Sequence, residues 1–154
     1  VVKQLSIFVE NKYKINKRLI HTVIAELRED LAFSVESLNI NFVSSETIEK
    51  INIEHLGHHY STDIITFNYS GSAVELDGEL FISVEDAREN SKRFKCSLSE
   101  ELLRLIIHGI LHLMGYDDMT PEDRRKMKRL ENKLTIQQKH NLKTAVLIYD
   151  GKNC

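Results

Sequence analysis

Two histidines, His108 and His112, stand four residues apart in the run H-G-I-L-H-L-M-G-Y-D-D. On a helix that spacing stacks both imidazoles on one face, where they can converge on a single metal ion. The flanking residues Leu98, Leu102, Leu103, Leu105, Ile106, Ile107, Ile110, Leu111, Leu113 and Met114 are apolar almost all round, so this helix is expected to be buried. Polar rings inside such a helix cost free energy unless they are satisfied. Backbone carbonyls can do this one ring at a time; a divalent cation does it for both at once. Gly115 then turns the chain three residues after His112 and lets it double back, bringing Asp117 or Asp118 toward the same point.

Asp118 lies ten residues after His108, which matches the third-ligand spacing of a metzincin-type zinc helix, and Asp117 competes with it for the role. Two neutral imidazoles and one carboxylate leave a tetrahedral zinc one open position, as in catalytic rather than structural sites. Zincin proteases carry a general-base Glu directly after the first His. Here that residue is Gly109, which moves no proton, and a standard protease is disfavoured.

A scaffold must bring these groups together. Leu5, Ile7 and Val9 alternate as a strand, and Leu19, Ile20, Val23, Ile24, Leu27 and Leu31 keep helical spacing behind an Asn16 cap. Leu38, Ile40 and Phe42 form a period-two strand, and Ser45 is expected to cap a short helix through Ile48, Ile51 and His55. Residues 63–69 are β-rich. Gly71-Ser72 and Asp77-Gly78 are expected to bracket a loop leading to a short strand at 79–83. Ser83 and Asp86 open a helix ending near Phe94. Ser97 and Glu100 form a capping box for the histidine helix. Thr120-Pro121-Glu122-Asp123 starts another helix, with Met127, Leu130 and Leu134 as its inner stripe. Residues 142–149 are apolar enough for a strand or an adhering segment.

The chain has 154 residues, 42% of them hydrophobic, with one proline and no repeat or low-complexity block, so a single domain is expected. We place it at residues 1–139, with 140–154 as a C-terminal tail. Lys and Arg total 21 against 23 Asp and Glu, a net charge of −2, so a polyanion would have to be held by a local patch. Cys96 and Cys154 show no metal-binding or disulfide spacing. Apolar stretches fall short of a membrane span and no signal pattern opens the chain, which is read as cytoplasmic, with no membrane partner.

The run H-G-I-L-H-L-M-G-Y-D-D resembles the H-G-x-L-H-L-x-G-Y-D-H signature of the YbeY family, metal-dependent endoribonucleases of ribosomal RNA maturation. Ile51-Asn52, Thr62-Asp63-Ile64-Ile65-Thr66-Phe67 and Gly78-Glu79-Leu80-Phe81-Ile82-Ser83 are similar to its L-N, T-D-V-L-S-F and G-D-I-x-I-S segments. The resemblance implies an α+β domain: a mixed, mostly parallel sheet of about four strands packed against helices, with the metal-binding helix central and buried. It also implies one Zn2+ per chain on three side chains, other divalent ions being possible. Single-stranded rRNA would be cleaved at the 16S 3′ end and in ribosome quality control, with the small subunit or its assembly factors as partners.

His108 and His112 match the first two ligands, and Asp118 falls where the family usually has a third histidine. Leu56 stands where the family usually has an arginine facing the metal cleft. Phosphodiester hydrolysis needs a nucleophile, charge neutralisation and proton transfer. Candidates for the last two are His58, Asp63, Glu79 and Arg104; Arg104 lies one turn before His108 on the same helix face. His55 and His59 lie beside His58. Asp63 also suits local backbone bonding at a strand start. Tyr60 and Tyr69 are candidates for stacking on unpaired bases. Two alternatives remain: a ribosome-associated assembly factor with a structural metal, and another zinc metallohydrolase.

Overall fold

A computed structural model describes residues 1–57 and 62–149. The elements follow the order β1 (Leu5–Val9), α1 (Lys17–Leu31), β2 (Ser34–Val43), α2 (Ser45–Leu56), β3 (Ile64–Asn68), β4 (Glu75–Ser83), α3 (Val84–Phe94), α4 (Leu98–Leu113) and α5 (Pro121–Gln138). The four strands form one sheet in the order β1-β2-β4-β3. β1, β2 and β4 run parallel, and β3 pairs antiparallel with β4 at the edge. This is the mixed, mostly parallel α+β arrangement expected from the sequence.

Alternation along the strands separates two apolar layers. Leu38, Ile40, Phe42, Leu80 and Ile82 point to one face and share a core with α1 and α4. Val43, Ile65, Phe67 and Phe81 point to the other face, where Ile48 and Ile51 of α2 cover them. α4 is enclosed as expected: Leu102, Leu103, Ile106, Ile107, Ile110 and Leu111 have no exposed surface. Among the described residues no helix is long and apolar enough to cross a membrane. The segment after α5 adheres to the core. Leu147 and Ile148 are buried, Ile148 bridges Ile15, and the Ser99 hydroxyl accepts from the Leu147 N–H at 3.1 Å.

Two local expectations need correction. Ser44, not Ser45, caps α2, its hydroxyl accepting from the Thr47 N–H at 3.1 Å. Asp77-Gly78 is not a turn: β4 begins at Glu75, and these residues pair with Ser37 and Leu38 of the long β2. Gly78 is there for space. A Cβ would lie 2.5 Å from Leu113 Cδ2 and 2.7 Å from the backbone oxygen of Phe67. Gly109 is equally crowded on the sheet side of α4, where a Cβ would stand 2.7 Å from Leu80 Cδ1 and 3.1 Å from Ile64 Cδ1. A glutamate at 109 would therefore be driven into the sheet.

These contacts rank two substitutions. Gly78→Ala meets a backbone carbonyl that cannot yield, and should cost about 2–3 kcal/mol, within the range for overpacked cores. Gly109→Ala meets only side-chain methyl groups and gains about 1 kcal/mol of helix propensity, so its net loss should be smaller. Urea midpoints at constant slope measure both; a Gly109→Ala loss exceeding that of Gly78→Ala would refute the ranking.

Candidate metal centre

α4 ends where the site begins. Gly115 adopts a φ of +97°, a conformation that costs glycine little, and its N–H closes on the His112 carbonyl at 3.0 Å. The Tyr116 N–H returns to the Leu111 carbonyl at 3.0 Å, and the chain reverses beneath the helix end. Asp117 then shapes the loop. Its Oδ1 accepts from the N–H groups of Asp118 and Met119, at 2.7 and 3.2 Å. Arg124, in the first turns of α5, donates through Nη1 to the carbonyls of Asp118 and Met119, at 3.3 and 3.2 Å.

The result is a cluster of His108, His112 and Asp118. The two Nε2 atoms face each other at 3.1 Å, and Asp118 Oδ2 lies 3.4 Å from His112 Nε2 and 3.8 Å from His108 Nε2. Ligands about 2.0–2.1 Å from a tetrahedral zinc are separated by about 3.3 Å, so the three atoms already stand at coordination spacing. Their side chains are 19%, 26% and 39% exposed in that order, leaving the cluster open on one side.

That opening is a cleft of about 550 Å³, lined also by Asn52, Leu56, Thr62, Asp63, Ile64, Ile65, Thr66 and Asn68. Leu56 thus presents an apolar side chain to the cleft. β3, whose outer edge pairs with no strand among the described residues, forms one wall. Asp63 stands at its start, its backbone carbonyl accepting from the Ser83 N–H at 2.9 Å and its Oδ2 from Asn90 Nδ2 at 3.0 Å.

A residue missed in the sequence fixes the first imidazole. Glu131 of α5 is 2% exposed, and its Oε1 lies 2.6 Å from His108 Nδ1. Burial opposes its charge, but the His108 hydrogen bond and the Arg104 guanidinium together outweigh that and hold its carboxyl below the ordinary range. An ionised Glu131 accepts from Nδ1–H, so the His108 Nε2 lone pair faces the cluster. His112 is held neutral by burial first and by His108 second, both lowering its pKa. Neutral imidazoles are the metal-binding form. The donor set therefore fits a divalent cation.

Arg104 does not line the cleft. Its Nε and Nη2 donate to Glu101 at 2.9 and 2.6 Å, and its Nη1 to Glu131 at 3.1 Å. Glu101, buried at 1% exposure, raises the guanidinium pKa most, and Glu131 adds to it. Glu79 points to the opposite face of the sheet, accepting from Asn41 Nδ2 at 3.0 Å and the Tyr69 hydroxyl at 3.1 Å. His58, His59 and Tyr60 lie outside the described residues. His55 packs edge-on against Phe67 at 5.5 Å. A signal for Glu131 does exist in the sequence: it falls between Met127 and Leu134 on the inner stripe of α5, where a charge needs a buried partner.

Glu131→Gln should weaken zinc binding about 10- to 100-fold, the usual consequence of losing a carboxylate behind a ligating imidazole, as read by chelator competition. The carboxyl of Glu131 sits below its ordinary value of 4.5, so its stabilising contribution is complete above that pH and disappears as pH falls through the folded-state value. The stability gap between wild type and variant should accordingly be constant near neutrality and close on acidification below 4.5. A gap that widens there would contradict this assignment.

Comparison with known proteins agrees with this geometry. The family model described as Endoribonuclease YbeY matches residues 4–139. An Endoribonuclease YbeY of Chlorobium limicola is 39% identical over 127 residues, covering 82% of this chain and 88% of the relative. One from Bacteroides fragilis is 47% identical over 98 residues, covering 64% and 70%. A Thermotoga maritima protein, determined in solution, superposes with a TM-score of 0.68 at 25% identity, covering 91% of this chain and 92% of its own. With the match running through every strand and through α4 and its returning loop, the chain belongs to the YbeY endoribonuclease family.

Proposed function

We propose that this protein is a zinc-dependent endoribonuclease that cuts single-stranded rRNA, in maturation of the 16S 3′ end and in ribosome quality control. The observation that carries the reading is the cluster of His108, His112 and Asp118, at coordination spacing and open to a cleft. Three protein ligands leave a position for chemistry. The carboxylate is a harder donor than the family's third histidine, so manganese or other divalent ions are tolerated beside zinc. The names carried by the relatives supply the substrate class.

A bound divalent cation would supply Lewis-acid polarisation of the phosphate and a water acidified toward neutrality. The chain's own residues do the rest. Asp63 lines the cleft, and we assign its carboxylate as the acceptor of the proton lost by the attacking water. Glu79, held on the other face of the sheet, leaves that role to Asp63 among the acidic candidates. The Asp63 and Tyr69 backbone groups bond β4, so by the alternation of antiparallel pairing the N–H groups of Ile64, Thr66 and Asn68 face outward from the edge. An extended strand with unpaired bases can lie along that edge; a duplex is too wide to do so. Arg104 acts at a distance, holding Glu131 and through it His108.

The apolar Leu56 in the cleft favours a second reading, a ribosome-associated assembly factor whose metal is structural. One experiment separates them. Wild type loaded with zinc should cut a single-stranded fragment of the 16S 3′ end and spare the same sequence in a duplex. Chelation should abolish cleavage and zinc restore it. His108→Ala and His112→Ala, with circular dichroism unchanged, should lose at least about 1,000-fold in kcat/KM, the scale of removing a catalytic metal's contribution. Equal cleavage by all three proteins would sink the hydrolytic reading. Small-subunit binding without cleavage by wild type would select the assembly factor.

A further inference from the structure

The two walls of the cleft are joined behind it by a chain of side-chain contacts. Asn90, half-buried on α3, gives one Nδ2 hydrogen to Asp63 Oδ2 at 3.0 Å and the other to Glu101 Oε2 at 3.2 Å. Glu101 binds Arg104 at 2.6 Å, Arg104 binds Glu131 at 3.1 Å, and Glu131 meets His108 at 2.6 Å. A carboxamide suits the Asn90 position because its NH2 group satisfies two carboxylates while its oxygen accepts from Arg93 Nη2, at 2.8 Å. Like charges would otherwise face each other across this gap. Glu101 is 1% exposed and fixed by Arg104, so it gives Asn90 a rigid anchor on α4, the same helix that carries His108.

We infer that Asn90 is a positioning residue that fixes the Asp63 carboxylate relative to α4, so that proton acceptor and metal ligands keep one geometry. The inference rests on the role proposed above for Asp63. Asn90 is itself neither a lining residue of the cleft nor a member of the ligand cluster, and its effect on the reaction passes through Asp63. Alanine at 90 removes both hydrogen bonds while favouring the helix, so the fold is kept.

The test uses the full chain, zinc-loaded, as wild type, Asn90→Ala, Asp63→Asn and the double variant, with kcat and KM on single-stranded RNA and zinc affinity measured separately. Asn90→Ala should lower kcat about 10- to 100-fold, with KM and zinc affinity each changed less than about threefold. The double variant should be no slower than Asp63→Asn, because the two losses share one route. Asn90→Asp, nearly isosteric but without the two donors, should lose more than alanine. Independently of activity, the Asp63 side-chain carboxyl 13C resonance should move in Asn90→Ala. Wild-type kcat in Asn90→Ala, multiplicative losses in the double variant, a parallel fall in zinc affinity, or an unmoved Asp63 resonance would each overturn the inference. If wild type cleaves and Asp63→Asn is equally fast, the proton-acceptor assignment fails and takes this inference with it. If wild type itself does not cleave, the nuclease reading alone fails, and the resonance decides the positioning role.

Discussion

Two imidazole nitrogens facing each other at 3.1 Å inside a buried helix are the constraint around which this molecule is arranged. Neither ring can leave, because the helix that holds them is the centre of the core. His112 is not charged at little cost, because burial and the neighbouring ring oppose it. A divalent cation that takes a lone pair from each ring satisfies both at once, and the fold supplies what this needs. Glu131 fixes the proton on the far side of His108, Gly115 turns the chain at once, and Asp117 and Arg124 hold the loop that returns Asp118.

The same helix explains why no glutamate follows His108. α4 packs so closely on β3 and β4 that position 109 accommodates only glycine without displacing Leu80. The residue after His108 belongs to the core, and the acid nearest the cluster on the sheet side comes from a neighbouring wall. Asp63, at the start of the edge strand, occupies that wall. The residue type at 109 is thus tied to a packing distance: a sheet this near the helix excludes a glutamate there, and the same sheet's edge strand carries Asp63 into the cleft.

Much of this was legible in the sequence, for local reasons. Period-two runs, capping boxes and the Gly115 stop specify the elements through contacts within a few residues, and the His108, His112 and Asp118 spacing needs only one helix and one turn. What was not legible depends on partners far along the chain. Asp77-Gly78 has the composition of a turn, yet the length of β2 and the approach of Leu113 draw it into a strand. Arg104 does lie one turn from His108, but two buried carboxylates, one of them 27 residues away, pull its guanidinium out of the cleft. Glu101 and Glu131 are ordinary acids of charged helices until their burial is seen.

Behind the cluster, Glu101 and Glu131 share Arg104, and Lys128 Nζ lies 4.0 Å from Glu131, so the two buried acids are met by two cations. In front of it stand Asp63 and Asp118, and no Lys or Arg lines the cleft among the described residues. The two carboxylates in front make the cleft more favourable to a cation than to a phosphate. With Leu56 apolar, that lining offers an anion no lysine or arginine among the described residues. Leu56 and Asp118 therefore act in the same direction, one supplying no charge and the other a negative one, and both favour a cation over an anion in the cleft.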